Sequence, residues 1–425
     1  MSSVYYPRIA DTLLQKKLAC LGAVLIEGPK WCGKTTTAEQ AARSVVYVSD
    51  PKNIQRYITL VDMDPEMLLD GDVPHLIDEW QLIPNIWDTI RFTVDHRQKQ
   101  GQFILTGSSV PADLEKIHHS GAGRFARMTM RPMTLFESKD STGEVSLEQL
   151  FAGEGKVRGK SGLNLGDIAF LICRGGWPQT VGMDKELALE LPYAYLDAVV
   201  SSDITRAGSL VRSPDRIRQI LRSLSRFQGS AARSSKILSD MTAKEENALS
   251  LTSLYSCLDA LKRIFVTEDM PAWNPNLRSK TAIQSTDTRY FIDPSIAVAA
   301  LQIGPEDLLQ DLETFGLLFE TMAVRDLRVY AESLSGNVYH YRDRNGLECD
   351  AVVHLRHGMY GLIEIKLGGD RLIEEGADVL KKLRDKIDTD KMREPAFLMV
   401  LTAVGSFAYR RTDGVLVVPI GCLRN

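Results

Sequence analysis

The chain has no run of about 18 consecutive apolar residues, so no membrane span is expected. Its first residues, MSSVYYPRIADTLLQKK, lack the apolar core of a signal peptide. Cysteine is sparse: six residues, at 20, 32, 173, 257, 349 and 422, lie far apart with no paired metal-ligand spacing. That pattern fits a reducing cytoplasm better than a disulfide framework. Positive charge is not in excess either. The formal net charge of −4 argues against a wholly basic nucleic-acid coat and leaves room for a local basic patch. Internal repeats and low-complexity tracts are also missing. What is present is an ordinary globular composition in 425 residues, enough for roughly two to four domains.

Apolar runs at 23–26, 45–48, 75–78 and 103–106 alternate with helical patterns at 34–43 and 85–99, the second opened by Pro84. Strands alternating with helices predict an α/β domain over 1–137 with a parallel sheet covered on both faces. Residues 138–166 are polar and rich in Gly and Ser and predict a linker or long loop, within a linker or lid region over 138–183. Helical patterns near 184–205, 213–227 and 250–263 precede two short strands at 265–267 and 289–292, which predicts a helical, winged-helix-like domain over 184–314. The last domain, 315–425, opens with a helix over 315–333. Strands follow at 338–342, 347–355 and 360–366, with Asn345-Gly346 as a two-residue hairpin turn. A helix at 371–388 and strands at 396–402 and 415–420 complete it.

Residues 28–35 read GPKWCGKT, a full G-x-x-x-x-G-K-[ST] loop between an apolar strand and a helix. Gly28 and Gly33 let the backbone wrap closely around a phosphate. The intervening Pro29, Lys30, Trp31 and Cys32 form the wall of the loop, and Lys34, Thr35 and Thr36 open the helix. Backbone N–H groups at a helix N-terminus then face the anion. Lys34 supplies a point charge to the terminal phosphates, and Thr35 a hydroxyl for Mg²⁺. The run Leu76-Ile77-Asp78-Glu79 ends a strand in two acids, with Asp78 on the metal side and Glu79 as general base. In FILTGSS, Thr106 or Ser108 can position water at the neighbouring strand end. Arg124 and Arg127, in GAGRFARM, are candidates to contact a phosphate in cis or across a subunit interface.

The motifs GPKWCGKT, LIDEWQLIPNIWDTIR, FILTGSS, GRFARMTMRPMTLFE and GGWPQTV, in this order, resemble prokaryotic AAA-type P-loop ATPases that carry a C-terminal module called domain of unknown function 4143. The resemblance spans nearly the whole chain and implies the same roles for Lys34, Thr35, Asp78 and Glu79. That C-terminal module resembles the PD-(D/E)XK, restriction-endonuclease-like fold. By that resemblance Asp350 and Glu364 hold a divalent cation, Mg²⁺ or Mn²⁺. Glu320 supports it and Lys366 activates a bound water. Glu364 and Lys366, two apart on one strand, project from one face. Cys349 stands where the family pattern has proline.

Between 206 and 236 lie eight Lys/Arg (206, 212, 216, 218, 222, 226, 233, 236) and one acid, Asp215. Such a stripe can neutralise duplex phosphates, or simply be a solvated helix face. Residues 249–265 have the period of a recognition helix. Taken together, the expectations are ATP and Mg²⁺ as ligands and phosphoanhydride hydrolysis as the reaction. Double-stranded DNA is a candidate partner, homo-oligomerisation a candidate state, and the cytoplasm the location. The competing expectation is a nucleotide-controlled switch that engages a partner protein and cleaves nothing.

Overall fold

The computed structural model describes residues 5–109, 119–154, 157–211, 213–230, 232–242, 249–274 and 287–425. The chain divides into two compact units. The first comprises residues 1–132, 201–210 and 256–266; the second comprises the remainder.

The first unit is built on five parallel strands: β1 (Ala23–Glu27), β2 (Ser44–Tyr47), β3 (His75–Asp78), β4 (Phe103–Gly107) and β5 (Phe125–Thr129), in the order β2-β3-β4-β1-β5. The three inner strands, β1, β3 and β4, read as nearly continuous apolar runs because both faces are buried, whereas the edge strands β2 and β5 carry exposed Tyr47 and Arg127. Along β1, Ala23 and Leu25 join one core with Ile77, Trp87, Ile90 and Phe103. Val24 and Ile26 join the other, with Leu14, Leu18, Leu76 and Ile104. Stacked Trp87 and Phe125, with ring centroids 3.9 Å apart, close the first core.

In the second unit, the described part of the polar stretch 138–166, expected to be a linker or long loop, carries regular structure. It contributes β6 (Val145–Ser146), the helix Leu147–Phe151 and β7 (Gly159–Lys160). β6 pairs with the chain's last strand, and Ser141 Oγ donates to Leu423 O at 2.8 Å. Strands of two residues leave no readable alternation, so composition alone suggested a linker. The helix Leu165–Arg174 follows, capped by Asn164, and then Lys185–Ala198. Next along the chain come the helices Pro214–Arg226, Ser234–Thr242 and Leu251–Arg263, the last of which ends within the first unit. An antiparallel pair follows, β8 (Thr267–Met270) with β9 (Thr288–Phe291), and then two short helices, Pro294–Leu301 and Pro305–Gln310.

The helix Leu312–Ser333 leads into β10 (Gly336–Arg342), β11 (Glu348–Leu355) and β12 (Tyr360–Lys366). The helix Asp370–Lys386 precedes β13 (Phe397–Thr402), β14 (Phe407–Arg410), β15 (Leu416–Pro419) and the terminal β16 (Leu423–Arg424). The sheet order is β10-β11-β12-β13-β15-β14-β7. The β10–β11 turn is longer than the two-residue hairpin expected. Asp343 Oδ1 accepts from the N–H groups of Asn345 and Leu347, and only Gly346 takes positive φ (82°).

A buried polar hub ties the second unit together. Arg325 bonds Asp293 (2.8 Å) and Asp326 (2.7 Å), all three essentially without solvent access. The N–H groups of Gly176 and Leu135 complete the two carboxylates. A Cβ on Gly176 would lie 2.2 Å from Met133 O. The GGWPQTV and MTLFE motifs therefore have a structural reason to hold these residues.

Candidate active site

The loop 28–35 follows β1 and ends at Gly33 (φ 97°), which starts the helix Lys34–Ala41. Gly28 has φ 155°, and a Cβ there would lie 2.1 Å from Met130 O, so backbone approaches backbone where only glycine fits. Arg8, which no sequence motif singled out, pins the loop by donating to Cys32 O and Arg131 O, both at 2.8 Å. Cys32 is buried beside Met130 O, whereas Trp31 is exposed at φ 65°. Lys34 is buried and donates to Pro29 O at 2.7 Å. Lys30 pairs with Asp203 at 2.6 Å. Thr36, on the same first turn, is exposed.

The acid strand β3 is separated from β1 by β4, which places three strand ends side by side. Thr35 Oγ1 donates to Asp78 Oδ1 at 2.7 Å, and Thr106 Oγ1 donates to the same oxygen at 2.6 Å. Thr106 Oγ1 also accepts the Glu79 N–H at 3.2 Å. Glu79 sits in the left-handed region (φ 57°, ψ 45°), uncommon for a residue with a side chain and frequent at functional sites. Its carboxylate accepts from Ser108 Oγ at 2.9 Å and from Gln81 Nε2. Gln81 carried no signal of its own in the sequence, although it stands two residues beyond Glu79 in the same motif.

The arginines are placed elsewhere. Ala23 N donates to Arg124 O, so Arg124 lies at the amino edge of the sheet, opposite the phosphate loop. It pairs with Asp95 at 2.5 Å. Arg127 lies near Glu27 (3.6 Å) and over the Trp87 ring. A parallel strand advances about 3.3 Å per residue, so the length of β5 keeps Arg124 from this loop in cis.

The strand order and the phosphate loop are the features of one fold, and residues 22–139 match the family described as AAA domain. The first unit has a P-loop ATPase fold of the AAA type. Residues 165–307 match domain of unknown function 8612, and residues 315–423 match domain of unknown function 4143. An uncharacterized protein of Mycobacterium tuberculosis is 23% identical over 364 residues, 84% of this chain and 73% of its own length. One of Mycobacterium bovis matches equally. Among solved structures, the Walker-type ATPase of Pyrococcus abyssi covers 70% of this chain and 96% of its own, at 15% identity and TM-score 0.43. A signal transduction ATPase with a tetratricopeptide repeat sensor, from Pyrococcus horikoshii, covers 77% and 50%, at 14% identity and TM-score 0.21. Among the described residues no helix is long and apolar enough to cross a membrane.

A second cluster lies on the sheet of the other unit. Antiparallel pairing of Ala351 with Ile363 sets Asp350 opposite Glu364, and Lys366 follows on the same face. Lys366 Nζ sits between the acids, 3.1 Å from Asp350 Oδ2 and 2.7 Å from Glu364 Oε2. Asp350 also accepts the Ile365 N–H at 2.7 Å. Glu320 accepts from Tyr290, a residue with no sequence signal, at 2.6 Å. Burial first, and the Asp350 charge second, hold the Glu320 and Glu364 carboxyls well above the ordinary range. Burial alone would lower Lys366, but Asp350 and Glu364 outweigh it and keep the ammonium charged. Among the described residues, no group of three or more His, Cys, Asp or Glu is arranged to hold a metal ion. The expected three-carboxylate set is therefore not assembled as a cage, because an ammonium already supplies the positive charge between two of its members.

The basic stripe is partly neutralised. Arg218 pairs with Asp197 at 2.8 Å, Arg226 with Asp240, and Lys236 lies over the Phe227 ring. Arg222 is exposed, and Arg212 lies outside the described residues.

Proposed function

We propose that the first unit binds ATP with Mg²⁺ and hydrolyses it. The observation that carries this reading is the pair of linked acids. Asp78 is shared by the hydroxyls of Thr35 and Thr106, and Glu79 is held by Ser108 and Gln81. The loop 28–35 and the helix N-terminus behind it supply N–H donors to the phosphates, and Lys34 exchanges Pro29 O for a phosphate oxygen. Hard oxygens from Thr35 and Asp78, 2.7 Å apart, are the donor types that Mg²⁺ takes. The ion would shield charge on the phosphates. Glu79 removes a proton from water as its oxygen attacks the terminal phosphorus. The bond to the bridging oxygen breaks, and ADP and phosphate leave. Gln81 Oε1, buried and without a partner among the described residues, is an acceptor that can orient that water. Lys34→Ala should weaken nucleotide binding, and Glu79→Gln should keep binding while slowing turnover. Hydrolysis at the wild-type rate by Glu79→Gln would remove Glu79 from this role.

The second half of the proposal is that ATP turnover serves a DNA-directed module. Three helices followed by the β8–β9 hairpin have the element order of a winged helix, and Arg222 with its neighbours offers positive charge on the first of them. In the C-terminal sheet, the proximity of Asp350, Glu364 and Lys366 supports reading that module as nuclease-like. One observation favours a second reading, a nucleotide-controlled switch whose nuclease-like domain does not cut. Lys366 occupies the space between the carboxylates, and a divalent cation would first have to displace it. In either reading, Arg124 remains a candidate to reach the nucleotide of a neighbouring subunit.

A further inference from the structure

Lys30 is the third residue of the phosphate loop, yet its ammonium is committed elsewhere. Nζ lies 2.6 Å from Asp203 Oδ1, with the lysine 43% exposed and the carboxylate 8%. Ser202 Oγ lies 3.3 Å from the same oxygen. Asp203 ends the π-helical segment Val199–Asp203 and adjoins buried Ile204. Single π-turns are rare and recur at functional sites. This one aims a nearly buried acid at a loop whose task, if it binds ATP, is to receive a polyphosphate. An unscreened carboxylate there would repel the ligand, and Lys30 is the group that cancels it. Conversely, if Lys30 turned to the phosphates it would leave Asp203 buried without a counter-ion, which is strongly unfavourable.

We propose that Asp203 is a positioning residue for nucleotide exchange. It holds the Lys30 ammonium away from the bound phosphates, so that Lys34 is the lysine of the loop that engages them and the product is not over-retained. The inference rests on residues 28–35 binding nucleotide. It makes the pair, and not either member alone, the determinant of affinity. Freeing Lys30 adds a positive charge at the phosphates, removing Lys30 exposes a negative one, and removing both restores the balance.

The test is Mg·ADP binding by calorimetry on the full chain, with steady-state ATPase rates alongside. Asp203→Asn should tighten ADP roughly five- to thirty-fold at low salt, the effect of one unit charge several ångströms away, and the gain should shrink in 1 M salt. Its kcat and KM should fall together, because release slows. Lys30→Ala should weaken binding by a comparable factor, and the double variant should return to within about threefold of wild type. A purely structural ion pair would give losses in both single variants and no recovery in the double. That result, or unchanged binding in Asp203→Asn, overturns the proposal. Should Asp203→Asn fail to fold, Lys30→Ala at its exposed position still decides: its loss of ADP affinity should shrink in 1 M salt, and a loss that salt leaves unchanged overturns the proposal. Wild-type protein that binds no ADP would instead refute the nucleotide reading itself.

Discussion

Replacing Thr106 by valine removes one oxygen and keeps the shape of a side chain with no solvent exposure. That oxygen does two things. It donates to Asp78 at 2.6 Å and accepts the Glu79 N–H at 3.2 Å. A hydrogen bond to a charged group is worth about 1.5–3 kcal/mol, and a buried N–H left without an acceptor costs about 1–3 kcal/mol. The second loss falls on Glu79, whose left-handed backbone already costs about 1 kcal/mol and persists only while its surroundings hold it. Thr35 still bonds Asp78, and the loop 28–35 is untouched, so nucleotide binding should change by no more than about threefold. The base is displaced, however, and forfeiting a bond of this kind in the transition state should lower kcat by roughly ten- to a hundred-fold. Steady-state ATPase kinetics with a parallel ADP titration read the two effects separately. An unchanged kcat, or a loss confined to affinity, would show that Thr106 does not organise Asp78 and Glu79.

Arg325→Met should destabilise the second unit by about 3–5 kcal/mol, because it strands Asp293 and Asp326 as buried acids. Burial already pushes the Asp326 carboxyl up to about 6. An acid raised in the folded state loses stability as pH climbs through its folded value, so the variant should melt lower at pH 8 than at pH 5. Arg218, Arg222 and Arg226 replaced together by Ala should flatten the salt dependence of duplex binding by about 0.9 for each phosphate no longer neutralised. Arg222→Ala alone should account for the largest share, because Asp197 and Asp240 already offset the other two; no binding at low salt would end the DNA reading. Mn²⁺- or Mg²⁺-dependent nicking should vanish in Asp350→Ala while ATP hydrolysis persists. Absence of nicking in wild type would favour the non-cleaving switch.

The sequence by itself was enough for the phosphate loop, the acids that end β3, the apolar run of β4, and the E-x-K strand of the C-terminal sheet. Each is a local pattern. Close backbone approach demands Gly28, a helix start demands Gly33, and double burial demands continuous apolar runs in β1, β3 and β4. Distant partners outside the motifs were not legible. Arg8 on Cys32 O, Asp203 on Lys30, Tyr290 on Glu320 and the Arg325 hub join residues that no spacing rule connects. Composition misread 138–166, because a two-residue strand owes its existence to the edge it pairs with and not to its own side chains. Position along β5, and not charge, took Arg124 away from the phosphate loop. Between Asp350 and Glu364, the family resemblance led to the expectation of a divalent cation. Folding placed Lys366 there, because a long flexible side chain on the same strand face can reach both acids and neutralise charge that burial makes costly.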